Sequence, residues 1–255
     1  MSILTDLLNT LPDGKVTDVR IGLHWTCVTV SVGGEVRCGL ASTLEAPHDH
    51  GGPPAVPDAG KLTSVGAREM AGWLESDVPT QRSLGTAACN ALVSPPPCES
   101  WVEGNAEHVI AQYGKQRRVA IVGHFPFIPR LRDVVGELNV LELNPKEGDL
   151  PADAAPYILP KMDVAAITGM TLINHTLPDL LELCREDCLV MVLGPSTPLS
   201  PVLFDHGVDM LSGSLVEKLD PVRTAVSQGA SFRQVHAFGV RLITMVNPTS
   251  PFALQ

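Results

Sequence analysis

The carboxyl-terminal half of this chain carries short apolar runs that do not alternate. They fall at 118–122 (RVAIV), 138–142 (LNVLE), 163–167 (DVAAI), 188–193 (CLVMVL), 207–211 (GVDML) and 238–246 (FGVRLITMV), with helical segments between several of them. A strand with one wet face alternates apolar and polar residues, so a continuous apolar run needs cover on both sides. Runs of this kind joined by helices predict a mostly parallel sheet in an α/β unit.

The first hundred residues follow a different pattern. SILTDLLNTL has helical spacing and stops at Pro12-Asp13-Gly14. VTDVRIG, HWTCVTVSV and EVRCGLA read as strands, the last two joined by Gly33-Gly34 as a hairpin. A two-residue turn there sets Thr29 opposite Cys38 and Cys27 diagonal to Cys38 on the same face. Those thiols suit either a soft metal or a small apolar core. Helices are expected over 62–75 and 79–92, and WVEGNAEHVIAQYG (101–114) reads as a further helix. The division is expected after SPPPCES, giving an α+β domain over 1–100 and an α/β domain over 101–255.

In an open parallel sheet, ligands bind beyond the carboxyl ends of the strands. After the first run stand Gly123-His124-Phe125-Pro126, and Glu142 closes the second. Thr168-Gly169-Met170-Thr171 and then Asn174-His175-Thr176 follow the third. Gly194-Pro195-Ser196-Thr197 follows the fourth, and Ser212-Gly213-Ser214 the fifth. Any one of these fits an ordinary strand-to-helix turn. Together they place small residues and hydroxyls along one edge, where backbone can approach a ligand.

The edge lacks the marks of a standard nucleotide site. There is no G-x-G-x-x-G, no Walker lysine, no G-x-S-x-G elbow and no H-E-x-x-H. His124 and Glu142, on neighbouring strands, are candidates for a pair that binds a cation or moves a proton. The alternative for His124 is a ring that caps a helix or packs on Phe125. His48-Asp49-His50 offers three donors in a loop, but no nearby Cys or His completes a zinc-type set. Cys184 and Cys188 are four apart with no paired C-x-x-C.

Composition narrows the partners. A net charge of -10 over 255 residues disfavours nucleic acid or an anionic membrane surface. No stretch has the length of a membrane span, and MSILTDLLNT does not resemble a signal peptide. A cytoplasmic protein with reduced cysteines is expected. The 44% hydrophobic content makes a homodimer a reasonable expectation.

The phrases VGHFPFI, ITGMTLINHTL and LGPSTPLSPVLFDHGVDMLSGS, with WTCVTV and LGTAACNAL in the first half, resemble the putative heavy-metal chelation family of bacteria and archaea. The resemblance runs through almost the whole chain. It implies an enolase amino-terminal-like domain followed by a Rossmann-like domain. It also implies a role in binding or chelating heavy metal in an interdomain cleft; because the sequence shows no dense Cys/His cluster, a metal-bearing small molecule is the other expected ligand. By motif match it carries over Gly123–Pro126, Thr168–Thr176, Gly194–Thr197 and Ser212–Ser214, and it makes Asn90 the polar contribution from the first half. It imports no enolase chemistry, since fold does not dictate function. His124 and Glu142 are the expected metal ligands or proton carriers, and a heavy-metal ion is the implied cofactor. The alternative is an enzyme acting on a nucleotide-like or carboxylated small molecule.

Overall fold

The computed structural model describes residues 2–45, 52–104 and 106–252. The chain opens with α1 (Ile3–Asn9), capped by Ser2, whose Oγ accepts from the Thr5 amide. An antiparallel meander follows: β1 (Lys15–Ile21), β2 (Trp25–Val32) and β3 (Glu35–Ser42). Gly33 and Gly34 both take positive φ (59° and 90°), the geometry a two-residue turn needs to match strand twist. The resulting register sets Thr29 opposite Cys38 and Cys27 opposite Leu40, as the turn predicts.

Next come α2 (Ala67–Gly72) and α3 (Pro79–Leu92). The helix expected over 62–75 is broken: 62–64 and 73–75 are single 3₁₀ turns on either side of α2. The helix expected over 101–114 is also shorter. Trp101–Glu103 is instead a strand, β4, and α4 covers Ala106–Gly114. Then follow β5 (Arg118–Val122), α5 (Ile128–Leu131), β6 (Glu137–Glu142), β7 (Leu150–Pro151), α6 (Ala155–Ile158) and β8 (Val164–Thr168). The remainder is α7 (Met170–Ile173), α8 (Leu177–Glu182), β9 (Leu189–Leu193), β10 (Met210–Val216), α9 (Leu219–Ser227), α10 (Phe232–Ala237) and β11 (Val240–Val246).

The fold is mixed α/β, with a small antiparallel sheet and an eight-stranded, mostly parallel sheet. The large sheet runs β4-β11-β10-β9-β8-β5-β6-β7. The consecutive pairs from β10 through β9, β8 and β5 to β6 are parallel, and β4 pairs antiparallel with β11. Strands β5, β8 and β9 are almost wholly buried, which is why their sequences are apolar without alternation.

By contacts the chain forms two compact units whose segments interleave. The first comprises 1–96, 195–200 and 213–242, and the second 97–194, 201–212 and 243–255. In the first unit, Cys27, Cys38 and Leu40 form a core with Val222, Ala225 and Val226 of α9. In the second, Val119 and Ile121 of β5 pack with Val164, Met191, Ile110 and Leu131.

Candidate functional site

Strand order places the candidate edge in the second unit. From β5 the chain moves to β6 on one side, and β8 then lies on the other side of β5. In parallel sheets with such a reversal, ligands usually bind beyond the carboxyl ends of the two strands that flank it, here β5 and β8.

Gly123 leaves β5 at φ +103°, and its amide donates to Leu141 O. A Cβ at this position would stand 3.0 Å from Thr168 Cβ, so the β5 and β8 ends are packed as close as glycine permits. Gly194 leaves β9 at φ +111°, with Phe125 beside it; an added Cβ would lie 3.9 Å from that ring. Phe125 stacks on Phe127, with centroids 5.1 Å apart and planes 10° apart, and packs against the core. Pro126 is exposed.

His124 does pair with a carboxylate, but the expected partner was wrong. Its Nδ1 lies 2.9 Å from Asp149 Oδ2, while Glu142 Oε1 instead accepts from the Leu143 and Asn144 amides. Glu142 is drawn back on its own loop, which takes it out of the imidazole pair. The Asp149 side chain is 1% exposed, and its Oδ2 also accepts from the Lys146 amide at 3.0 Å. Burial alone would raise this carboxyl, but the bonds from Lys146 and His124 outweigh it and hold it below its ordinary value. An ionised Asp149 makes His124 Nδ1 the protonated nitrogen and leaves the Nε2 lone pair for a metal or a proton. No motif singled out Asp149; it sits in the polar segment NPKEGDLPAD without periodicity.

The other residues expected in this unit are more self-contained. Thr168 ends β8, and Gly169 donates from its amide to Leu193 O. Thr171 is buried and donates to Thr168 O at 2.7 Å. Asn174 Oδ1 accepts from both the amide and the hydroxyl of Thr176, closing a turn that brings His175 to φ +64°. Ser212 bonds Thr244, hydroxyl to hydroxyl at 2.5 Å, with both residues buried. β10 continues to Val216, so Ser212, Gly213 and Ser214 lie within the strand and not beyond its end as the sequence suggested. Small residues read as a turn, but here they serve close packing: a Cβ on Gly213 would meet Leu199 and Thr197 O at 2.9 Å.

The remaining candidates belong to the first unit. Asn90 Nδ2 donates to Leu40 O (2.8 Å) and Ser196 O (3.2 Å). Ser196 Oγ accepts from the Ser42 amide at 2.9 Å, and Ser214 donates to Pro195 O at 3.1 Å. Asn90 Oδ1 and Thr197 Oγ1 are buried without a partner among the described residues. This cluster chiefly ties 195–200 to β3 and α3.

A heavy metal held by protein alone would need several convergent donors. Among the described residues no group of three or more His, Cys, Asp or Glu could hold an ion. His48, Asp49 and His50 lie outside the described residues. Cys27 and Cys38 interact, and so do Cys184 and Cys188; in each pair the mutual hydrogen bond raises one thiol, Cys27 or Cys188, and lowers the other. Burial pushes the Cys89 thiol up to about 12. Among the described residues no helix is long and apolar enough to cross a membrane.

Fold and edge together define an α/β protein with an imidazole oriented by a buried carboxylate beside the reversal point of a parallel sheet. Two family models match the chain, DUF4213 over residues 4–93 and DUF364 over 105–245, both described as "Putative heavy-metal chelation", and the chain belongs to this family. An uncharacterized protein of Methanocaldococcus jannaschii is 30% identical over 217 residues, spanning 82% of this chain and 81% of that protein. A DUF364-family crystal structure from Desulfitobacterium hafniense, of unknown function, superposes with a TM-score of 0.81 at 28% identity, covering 96% of this chain and 97% of its own. Another from Pyrococcus horikoshii gives 0.79 at 22% identity, covering 96% and 98%; this likeness shows the fold.

Proposed function

We propose that the chain binds a metal-bearing small molecule at the carboxyl edge of β5 and β8, with His124 supplying one ligand. The observation that carries this reading is the contact between His124 Nδ1 and the buried Asp149 carboxylate. Metal-ligating histidines commonly use their second nitrogen in this way. One oriented imidazole is too small a donor set for a protein-only chelate, so the remaining ligands come from the small molecule. Gly123 and Gly194 turn the chain off β5 and β9 at positive φ, which sets the backbone of both turns at this edge. The family description supports metal as the cargo.

The rival reading is an enzyme of small-molecule metabolism acting on a nucleotide-like or carboxylated substrate. The same His124–Asp149 contact favours it, because an imidazole held by a carboxylate is also a general base. The test is to purify the chain without a metal-binding tag and measure its elemental content. The metal-free chain is then titrated with Zn²⁺, Ni²⁺, Co²⁺ and molybdate, each alone and with citrate. Binding strengthened by citrate and lost in His124→Ala supports the proposal. Binding indifferent to His124 overturns it, and turnover lost with binding retained favours the enzyme.

A further inference from the structure

Strand β2 presents Trp25, Cys27 and Thr29 on one face, and the register brings Cys38 of β3 directly opposite Thr29 and diagonal to Cys27. Cys27 is 0% exposed and Cys38 8% exposed, both within the core formed with α9. On this face Trp25 Nε1 is buried without a partner among the described residues, and the buried Thr29 hydroxyl bonds the Cys38 sulfur opposite it. A buried donor left unpaired is costly and rare, and on this face the indole N–H lacks an acceptor while the Thr29 hydroxyl has only a weak one. A thiol is a weak acceptor, whereas a thiolate is a strong one.

The charges nearby agree. Arg20 and Arg223 act on the two thiols, offset by Asp18. Both arginines line a cavity of about 420 Å³, which Asp220, Thr224, Ser227 and Gln228 complete. We infer that Cys27 and Cys38 form a two-sulfur site for a soft monovalent metal cation, Cu⁺ in chemical class. Soft cations favour thiolate ligands and pass over the oxygen donors nearby. Each sulfur loses its proton and gains a bond to the metal, so one cation displaces two protons and no electron moves. The bound centre carries a single negative charge, which the Trp25 and Thr29 donors and the two arginines stabilise. A divalent cation would leave the centre neutral, with less for those donors and the two arginines to stabilise.

This site is independent of His124. The test is anaerobic titration of the reduced, metal-free chain with Cu⁺ against a chromogenic Cu⁺ chelator, with proton release measured in parallel. One equivalent and two protons per chain are expected, retained in His124→Ala and Cys184→Ser and lost in Cys27→Ser and Cys38→Ser. Thr29→Val keeps the shape of the side chain, and its loss of a supporting hydrogen bond is expected to weaken binding about 10–100-fold at unchanged stoichiometry. X-ray absorption on the wild-type loaded chain should show two sulfur neighbours, a readout that does not depend on any variant folding. Nitrogen ligands, a third sulfur, binding that follows Cys184 and Cys188, or no binding would overturn the inference.

Discussion

Gly39 offers a sharp test of how the first unit is assembled. It lies in β3 against α3, and a Cβ there would stand 2.2 Å from Ala87 O, 2.4 Å from Ala91 N and 2.8 Å from Asn90 C. All three atoms are helix backbone, so no rotamer change relieves the overlap. Relief requires α3 to retreat by about 1 Å, since unstrained contacts lie near 3.5 Å. That movement loosens the buried Leu84, Ala87, Ala88, Ala91 and Leu92 and stretches the 2.8 Å bond from Asn90 to Leu40 O. Overpacking a core usually costs about 1–3 kcal/mol, and a backbone obstacle puts Gly39→Ala at about 3 kcal/mol or more. In a chain of this size that is a Tm fall of about 6–12 °C. Gly72 provides the control: its φ and ψ are helical (-59°, -21°), nothing lies within 4 Å of an added Cβ, and Gly72→Ala should be neutral or stabilising by about 0.5 kcal/mol. Urea denaturation followed by circular dichroism measures both. A Gly39→Ala variant within about 1 kcal/mol of wild type would refute the close seating of α3 on β3, given the size of ordinary overpacking costs.

Asp149→Ala removes the acceptor of His124 Nδ1 and of the Lys146 amide, and should weaken binding of the metal–citrate complex about 10–100-fold by calorimetry. Asp149→Asn keeps an acceptor and should lose less; equal losses would show that charge matters more than orientation. Asp163 accepts from the Arg118 guanidinium and amide and from Arg185, and those bonds hold its carboxyl far below the ordinary range despite the opposing effect of burial. Its contribution is therefore full at neutral pH, and is lost as acid protonates the folded state through that lowered value. Asp163→Asn should lower Tm at pH 7, with the gap to wild type closing in strong acid; a gap independent of pH would contradict the assignment.

What the sequence revealed follows from how local each signal is. The runs at 118–122 and 188–193 have composition enough to declare doubly covered strands, and Gly33-Gly34 sets the hairpin register down to the Cys27–Cys38 diagonal. Trp101–Glu103 was illegible because three residues at a sheet edge carry no period, and helical spacing from 106 onward absorbs them. Ser212–Ser214 has the composition of a turn, yet the partner that explains Ser212 is Thr244, 32 residues away. Asp149 reaches His124 across 25 residues from a loop whose sequence resembles any solvated segment. Tertiary partners of this sort leave no trace in periodicity, so the strands could be read while the contacts at their ends could not.

The donor inventory bears on what chelation can mean for this chain. Three or more convergent ligands would bind many divalent ions and rank them by intrinsic affinity. The described residues instead include an imidazole bonded to a buried carboxylate, and a buried pair of thiols on the same strand face as an unpartnered indole N–H. Each discriminates by what it lacks. Under the proposed function, the imidazole alone holds a bare aqueous ion weakly and gains selectivity when a small molecule fills the other positions. The dithiol has no third donor of its own kind, which favours cations content with two sulfurs over Zn²⁺, whose structural sites take four ligands. Citrate therefore separates the two sites: it should strengthen divalent binding at His124 and leave Cu⁺ binding at Cys27 and Cys38 unchanged.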